Sequence, residues 1–244
     1  MNFIINIFLK MDNNINAIIL AAGLGTRMMP LTKNIPKPLI RVNGKTLLEN
    51  SINFLIELGC KNIFINSFYL SEQIESFVKN NKFKANINII REKKLLDTGG
   101  AIKNILSYID CKKFLILNSD VFWIKKNLKD VEKLINNYNK FKQSSLLLVN
   151  KKNAFGLKKN QGDFVINNEI IQRYKKDDDK LIFYAGCQIL NTGVFNYFPT
   201  NKFSLNVIWD DLIKKEKLKG IIMKSDWFHV GDVEGLNIAS KSNA

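Results

Sequence analysis

From Asn16 onward, apolar residues fall into two alternating rhythms, short unbroken runs and stretches with helical spacing. Ala17 to Ala22 is a continuous apolar run that ends in glycine, as a strand buried on both faces requires. In Thr46 to Leu58 the residues Leu47, Leu48, Ile52, Leu55 and Ile56 recur at helical spacing, and Gly59 is placed to end that helix. Asn62 to Asn66, Ile87 to Arg91, Lys113 to Asn118 and Ser144 to Asn150 read as further strands. Between them lie predicted helices at Ser71 to Val78, with Ser71 as N-cap, at Gly99 to Ile109 after a loop over Glu92 to Thr98, and at Leu128 to Tyr138.

Strands alternating with helices of this length imply βαβ units: an α/β, Rossmann-like, mostly parallel sheet with helices on both faces. Beyond Asn150 the rhythm shortens. Asp163 to Ile166, Ile170 to Tyr174 and Leu181 to Leu190 suggest a small antiparallel addition to the same sheet. A helix over Leu205 to Lys215, a strand over Ile221 to Lys224 and a last helix after Asp232 complete the pattern. Residues 16–244 are expected to form a single domain. Residues 1–15 read as a poorly ordered extension, with Met11 an alternative start to Met1.

With 46% hydrophobic residues in 244, the chain can bury a substantial core. The net charge of +15 raises nucleic acid as a partner. Only four arginines occur (27, 41, 91 and 173), and the lysines are scattered, so the charge reads as solvated surface rather than a nucleic-acid footprint. Cys60, Cys111 and Cys187 are odd in number and widely spaced. That fits neither a disulfide framework nor a zinc site, and points to a reducing cytoplasm. No run approaches the roughly 20 apolar residues of a membrane helix, so a soluble protein is expected, with no membrane partner.

Chemistry concentrates in residues 16–41. A strand ending in Ala21-Ala22-Gly23-Leu24-Gly25-Thr26-Arg27 sets backbone N–H groups at the carboxyl edge of a parallel sheet, where open α/β folds bind ligands. Gly23 and Gly25 can take positive φ and let a phosphate approach the main chain, and Arg27 adds a bidentate donor. A dinucleotide fingerprint would need glycine at Met28, and a P-loop ending at Gly44-Lys45-Thr46 would need one at Leu39. Pro36 and Pro38 bracket Lys37, fix the backbone around it and deny that segment a helix, making it a positioned cation.

The run Gly23-Leu24-Gly25-Thr26-Arg27-Met28-Met29-Pro30-Leu31-Thr32, followed by Pro36-Lys37-Pro38-Leu39, resembles the signature of the sugar-1-phosphate nucleotidyltransferases. The likeness covers Asn16 to about Leu236 and includes Leu96 to Gly100 and Asn118-Ser119-Asp120. Within the family it is most similar to the short N-acetylmuramate-1-phosphate uridylyltransferases of cell-wall recycling, with the mannose-1-phosphate guanylyltransferases next. The chain ends where those short enzymes end, so no C-terminal β-helix is expected.

The resemblance implies transfer of a nucleoside monophosphate from a nucleoside triphosphate to a sugar 1-phosphate, with Mg²⁺ as cofactor. It implies that Ala21, Ala22, Gly23, Gly25, Thr26, Asn66, Thr98, Gly99 and Gly100 bind the nucleotide, that Arg27 and Lys37 are catalytic, and that Asp120 binds the metal. Gly162, Asp163 and Gly186 would line the acceptor pocket, with Lys175 or Lys176 able to meet an acceptor anion. A second metal Asp is usual in a pattern like W-x-D-x-G-T. Here the stretch is Trp227-Phe228-His229-Val230-Gly231-Asp232, with the chain's only histidine at the Asp position. The second ligand stays open: Asp226 or Asp232 takes over, His229 binds phosphate or another metal, or one carboxylate suffices. Phosphocholine with CTP, and a catalytically silent nucleotide-sugar-binding protein, are the other readings. The oligomeric state is undecided.

Overall fold

The computed structural model describes residues 15–176, 180–199 and 201–242. All of the expected extension but Ile15 lies outside the described residues, and Ile15 itself is buried in the core. The chain runs through β1 (Asn16–Leu20), the short pair β2 (Arg41–Val42) and β3 (Lys45–Thr46), α1 (Leu47–Glu57), β4 (Asn62–Ser67), α2 (Ser71–Asn80), β5 (Asn86–Arg91), α3 (Asp97–Leu106) and β6 (Lys113–Asn118). It continues through β7 (Val121–Phe122), α4 (Asn127–Phe141), β8 (Ser144–Asn150), β9 (Ala154–Phe155), the hairpin β10 (Phe164–Asn167) and β11 (Ile170–Arg173), and β12 (Ile182–Asn191). The last elements are α5 (Leu205–Lys214), β13 (Leu218–Ile222), β14 (Trp227–His229) and α6 (Val233–Lys241).

The main sheet has the order β10-β11-β13-β8-β12-β6-β1-β4-β5. β6, β1, β4 and β5 run parallel, as do β8 and β13. The expected antiparallel addition is present, but β12 is no appendage: it lies between β6 and β8, antiparallel to both. Alternate strand residues divide the core in two, because successive side chains point to opposite faces. Ala17, Ile19, Leu115, Leu117, Leu147 and Val149 pack with apolar residues of α1, α2 and α4. Ile18, Phe114, Ile116, Leu146 and Leu148 pack with those of α3 and α5.

Local chemistry explains where the boundaries fall. The α1 N-terminus is capped by Thr46, whose Oγ1 accepts from Glu49 N at 3.0 Å. Its C-terminus ends with Gly59 at φ 85. Ser71 does not cap α2 as expected: it is the first helical residue, preceded by Leu70 at φ 51, and its hydroxyl donates to Phe68 O at 3.0 Å. α3 begins at Asp97, two residues before the expected start at Gly99. β13 is shifted toward the N-terminus because Leu218 and Gly220 pair with β8, and a Cβ on Gly220 would lie 2.7 Å from Leu148 Cδ1. The sheet β7-β14-β9 was not anticipated, since strands of two or three residues carry no periodicity.

The cysteines are free, with Cys60 and Cys187 buried and Cys111 half-buried. Burial pushes the Cys60 thiol up to about 12 and raises Cys187 as well. Native protein treated with an aromatic disulfide reagent is therefore expected to react slowly at Cys111 alone, and at all three thiols in denaturant. Equally fast modification of Cys60 or Cys187, read by peptide mass, would contradict this packing. No helix among the described residues is long and apolar enough to cross a membrane.

Candidate active site

Chain direction puts the chemistry at one place. From β1 the chain crosses through α1 to β4 and through α2 to β5, then returns through α3 to β6 on the other side of β1. The order therefore reverses between β1 and β6, and ligands of open α/β sheets bind beyond the carboxyl ends of strands at such a point. The glycine loop follows β1 and Asp120 follows β6. Ser119 N donates to Leu20 O at 3.2 Å and ties the two strand ends together.

The glycine loop is fastened from within. Gly25 sits at φ 66, where a Cβ would come 3.0 Å from Thr32 Cγ2 and 3.1 Å from Lys37 Cβ. Thr32 Oγ1 donates to Gly25 O at 2.8 Å. Gly23 does not take positive φ, and a Cβ there would point into open space. The Pro36–Pro38 bracket excludes an α-helix, as expected, and leaves one 3₁₀ turn over Lys37–Leu39. That turn holds Lys37 at 8% exposure, with Nζ 3.0 Å from Asp120 Oδ2. His229 Nε2 faces the same carboxylate oxygen at 3.6 Å. Burial acts to raise the Asp120 carboxyl, but the Lys37 ammonium and then His229 outweigh it and hold it well below the usual carboxylate range.

A cleft of about 480 Å³ opens beside this cluster. Ala22, Gly23, Gly25, Thr26, Arg27 and Lys37 line one side, and Asn66, Thr98 and Asp120 also reach it. Asn66 Oδ1 accepts from Ala21 N at 2.8 Å, and its Nδ2 donates to Glu92 Oε1 at 2.8 Å. Glu92 Oε2 accepts from Leu96 N at 2.9 Å. Sequence reasoning treated Glu92 only as the start of a loop, yet it is a buried acid lining this cleft. Burial pushes its carboxyl above the ordinary value, against the Asn66 and Leu96 hydrogen bonds that favour the charged form. The signal that could have found it is its position, an acid immediately after β5 at the carboxyl edge of the sheet.

Three of the expected nucleotide-binding residues, Ala21, Gly99 and Gly100, do not line the cleft. Ala21 is buried with its N–H spent on Asn66. The N–H groups of Gly99 and Gly100 both donate to Phe203 O, at 3.0 and 3.1 Å. They lack side chains for packing reasons, since a Cβ on Gly100 would lie 2.4 Å from Asn201 O.

A second cavity of about 390 Å³ shares Arg27, Asn118 and Asp120 with the first. Asp163 and Gly186 line it and Gly162 does not, because Gly162 packs under Tyr174 and Ile182. Gly186, at φ 73, lies where the β12–β8 register shifts between Tyr184 and Gln188. Tyr184, Trp209 and Trp227 supply aromatic wall. The cations here are Arg27, Lys158, Lys159 and Arg173, and neither Lys175 nor Lys176 lines the cavity. Three of these are already paired: Lys158 with Asp232 and Glu234, Lys159 with Asp163, and Arg173 with Asp210.

Asp232, an expected candidate for the second metal ligand, lines the second cavity with Asp120 and His229. Its Oδ1 caps α6 by accepting from Gly235 N at 2.9 Å, and its Oδ2 meets Lys158 Nζ at 3.0 Å. Asp226 is exposed and lines neither cavity.

A cleft at the parallel edge, with a lysine–carboxylate pair where it joins a second polar cavity, is an arrangement suited to handling phosphates. The family model for nucleotidyl transferases matches residues 16–243, and the chain belongs to that family. Over 222 residues it is 28% identical to N-acetylmuramate alpha-1-phosphate uridylyltransferase of Caulobacter vibrioides, covering 88% of this chain and 91% of that one. It is 31% identical over 217 residues to D-glycero-alpha-D-manno-heptose 1-phosphate guanylyltransferase of Campylobacter jejuni, covering 88% and 94%. The crystal structure of HddC from Yersinia pseudotuberculosis complexed with GMP-PN superposes with a TM-score of 0.76 at 26% identity, over 93% of this chain and 98% of that one.

Enzymes of this family typically use a divalent metal. Asp120, joined by triphosphate oxygens, suits such an ion. The groups facing its Oδ2 are the Lys37 ammonium at 3.0 Å and the His229 imidazole at 3.6 Å, and no three His, Cys, Asp or Glu side chains converge among the described residues. The donors fit a divalent cation, but they are not the all-oxygen set that Mg²⁺ favours.

Proposed function

We propose that the chain transfers a nucleoside monophosphate from a nucleoside triphosphate to a sugar 1-phosphate, with UTP and N-acetylmuramate 1-phosphate as the leading pair. The observation that carries this reading is the junction of two cavities at Arg27 and Asp120, with Lys37 bonded to Asp120 beside it. One cavity takes the triphosphate and the other the acceptor, so the two phosphates meet where the cations converge.

An oxygen of the acceptor phosphate attacks the α-phosphorus. The new P–O bond forms as the bond to the α,β-bridging oxygen breaks, and its electron pair leaves with pyrophosphate. The acceptor phosphate is already ionised near neutral pH, so no general base is needed. Catalysis then rests on positioning and charge neutralisation. Main-chain N–H groups of the glycine loop and Arg27, which has no hydrogen-bond or ion-pair partner among the described residues, hold the departing pyrophosphate. Lys37 neutralises the α-phosphate and the incoming oxygen. A divalent cation held by Asp120 would supply Lewis-acid charge to the triphosphate. In the second cavity Asp163 and the Gly186 bulge face the sugar, whose apolar faces suit Tyr184 and Trp209.

A guanylyl donor is the second reading, favoured by Glu92. Guanine presents N1–H and N2–H₂ as adjacent donors, which a carboxylate can accept together, whereas uracil offers one N–H. Four triphosphates crossed with N-acetylmuramate, mannose and heptose 1-phosphates and phosphocholine, read by pyrophosphate release and product mass, test both. The expected result is release with one triphosphate and a sugar 1-phosphate. No release with any pair would leave a nucleotide-sugar-binding protein.

A further inference from the structure

The second donor at the junction is nitrogen, and the fold builds it in. β14 pairs antiparallel with β7, setting His229 opposite Val121 and Phe228 opposite Phe122, and Val230 N donates to Asp120 O at 2.8 Å. Backbone register therefore puts His229 beside Asp120; this is no chance rotamer on a loop. The ring is held on both sides. It stacks on Trp227 with centroids 5.4 Å apart and planes at 14°, and that indole is fixed by donating from Nε1 to Ala185 O at 2.8 Å. Across from it, the backbone of Gly231 lies so close that a Cβ would come 2.2 Å from His229 Cε1. Gly156 closes on the same residue, where a Cβ would be 2.3 Å from His229 O.

In this slot Nε2 points at Asp120 Oδ2 across 3.6 Å, and Nδ1 is buried without a hydrogen-bond partner. Oδ2 also accepts from Lys37 Nζ at 3.0 Å, so a shared cation sits on the side of the oxygen away from that ammonium. A separation of 3.6 Å, less than twice a bond of about 2.1 Å, lets Oδ2 and Nε2 hold it together. The tautomer protonated at Nδ1 leaves the Nε2 lone pair directed to that point. Asp226 lines neither cavity, and Asp232, which lines the second, accepts from Gly235 N and meets Lys158 Nζ, whereas His229 Nε2 faces Asp120 directly.

We infer that His229 is the second protein ligand of the divalent cation, and that the Asp120–His229 pair makes this site prefer a first-row transition ion, with Mn²⁺ as the representative, over Mg²⁺. The inference rests on the nucleotidyl-transfer reading for its remaining ligands, the triphosphate oxygens. Imidazole is a good ligand for transition ions and a poor one for Mg²⁺, whereas carboxylate and phosphate oxygens accept Mn²⁺ readily. The intersection of those preferences is an ion that tolerates one nitrogen in an oxygen-rich shell.

The chain has one histidine, so a nitrogen signal from imidazole has one possible source in untagged protein. The full chain is mixed with Mn²⁺ and either UTP or GTP, without acceptor. Free Mn²⁺ is titrated by continuous-wave EPR, and the bound ion is examined by pulsed EPR for coupling to imidazole ¹⁴N, then repeated with ¹⁵N-histidine protein. The expected result is imidazole coupling that changes with ¹⁵N labelling and disappears in His229→Gln. That variant should also bind Mn²⁺ at least about tenfold more weakly, the lower end of what losing even an outer-shell partner costs a metal site. His229→Asp, an all-oxygen pair, should shift the preference toward Mg²⁺ in competition titrations. Bound Mn²⁺ with no imidazole coupling, or unchanged affinity in His229→Gln, overturns the inference. If pyrophosphate release with an acceptor then continues equally in wild type and His229→Gln, the transfer reading stands without it. If no triphosphate promotes Mn²⁺ binding and no pyrophosphate is released with any acceptor, both fall.

Discussion

Lys37→Ala is expected to lower kcat by about 10²-fold or more, the range seen when a positioned donor to developing negative charge is removed. Lys37 is buried to 8% exposure, fixed by a 3₁₀ turn between two prolines and bonded to Asp120 Oδ2 at 3.0 Å. A cation so restrained costs no reorganisation when charge builds on the α-phosphate, which is why its loss should fall on kcat more than on KM. The measurement is steady-state pyrophosphate release with the substrate pair found in the panel, accompanied by a thermal melt. Near-normal turnover in a folded variant would remove Lys37 from the reaction centre. Removing the lysine also strips Asp120 of the charge that outweighs its burial, so the carboxylate should become easier to protonate.

Asp130→Ala is expected to destabilise the chain by about 2 kcal/mol, because three hydrogen bonds from part-buried donors to a buried carboxylate are lost. Asp130 projects from α4 and accepts from Lys224 N at 2.9 Å, from Ser225 N at 3.2 Å and from the Ser225 hydroxyl. Its helical neighbour Asn127 donates to Ser225 Oγ at 2.7 Å and to Asp226 O at 2.9 Å. Together they anchor the turn that leads into Trp227 and His229. Urea unfolding measures the loss, and Asp130→Asn, which keeps an acceptor oxygen, should lose less. A stability change under about 0.5 kcal/mol, the scale of ordinary surface substitutions, would show that water replaces the carboxylate without cost. Because this turn feeds β14, the alanine variant should also weaken metal binding in the EPR titration more than its folded fraction explains.

The core strands and helices were readable because their apolar periods are long enough to distinguish 2 from 3.6. The glycine loop was readable for a steric reason: Gly25 occupies positive φ against Thr32 and Lys37. Asp120 could be found because Asn118-Ser119-Asp120 resembles the family motif and closes an apolar strand at the edge where the loop must lie. The small sheet was not readable. β7, β9 and β14 are two or three residues each, held by pairings between segments more than thirty residues apart. The same limit hid the packing of Gly99 and Gly100, where a Cβ would meet Phe203 and Asn201, about a hundred residues away. Nor does the sequence mark Lys158 and Lys159, which line the second cavity, apart from Lys175 and Lys176, which do not.

Local pattern was enough for the α/β class, the carboxyl-edge location of the candidate site and the cations Arg27 and Lys37, with Asp120 added by the family resemblance, because strand polarity and proline and glycine geometry act within a few residues. The folded arrangement was needed to insert β12 beside β6, to bury Glu92 against Asn66 and to bring His229 to the carboxylate. Those facts depend on pairings across long loops, whose free energy comes from burial and hydrogen bonding between segments that carry no mark of one another in the chain.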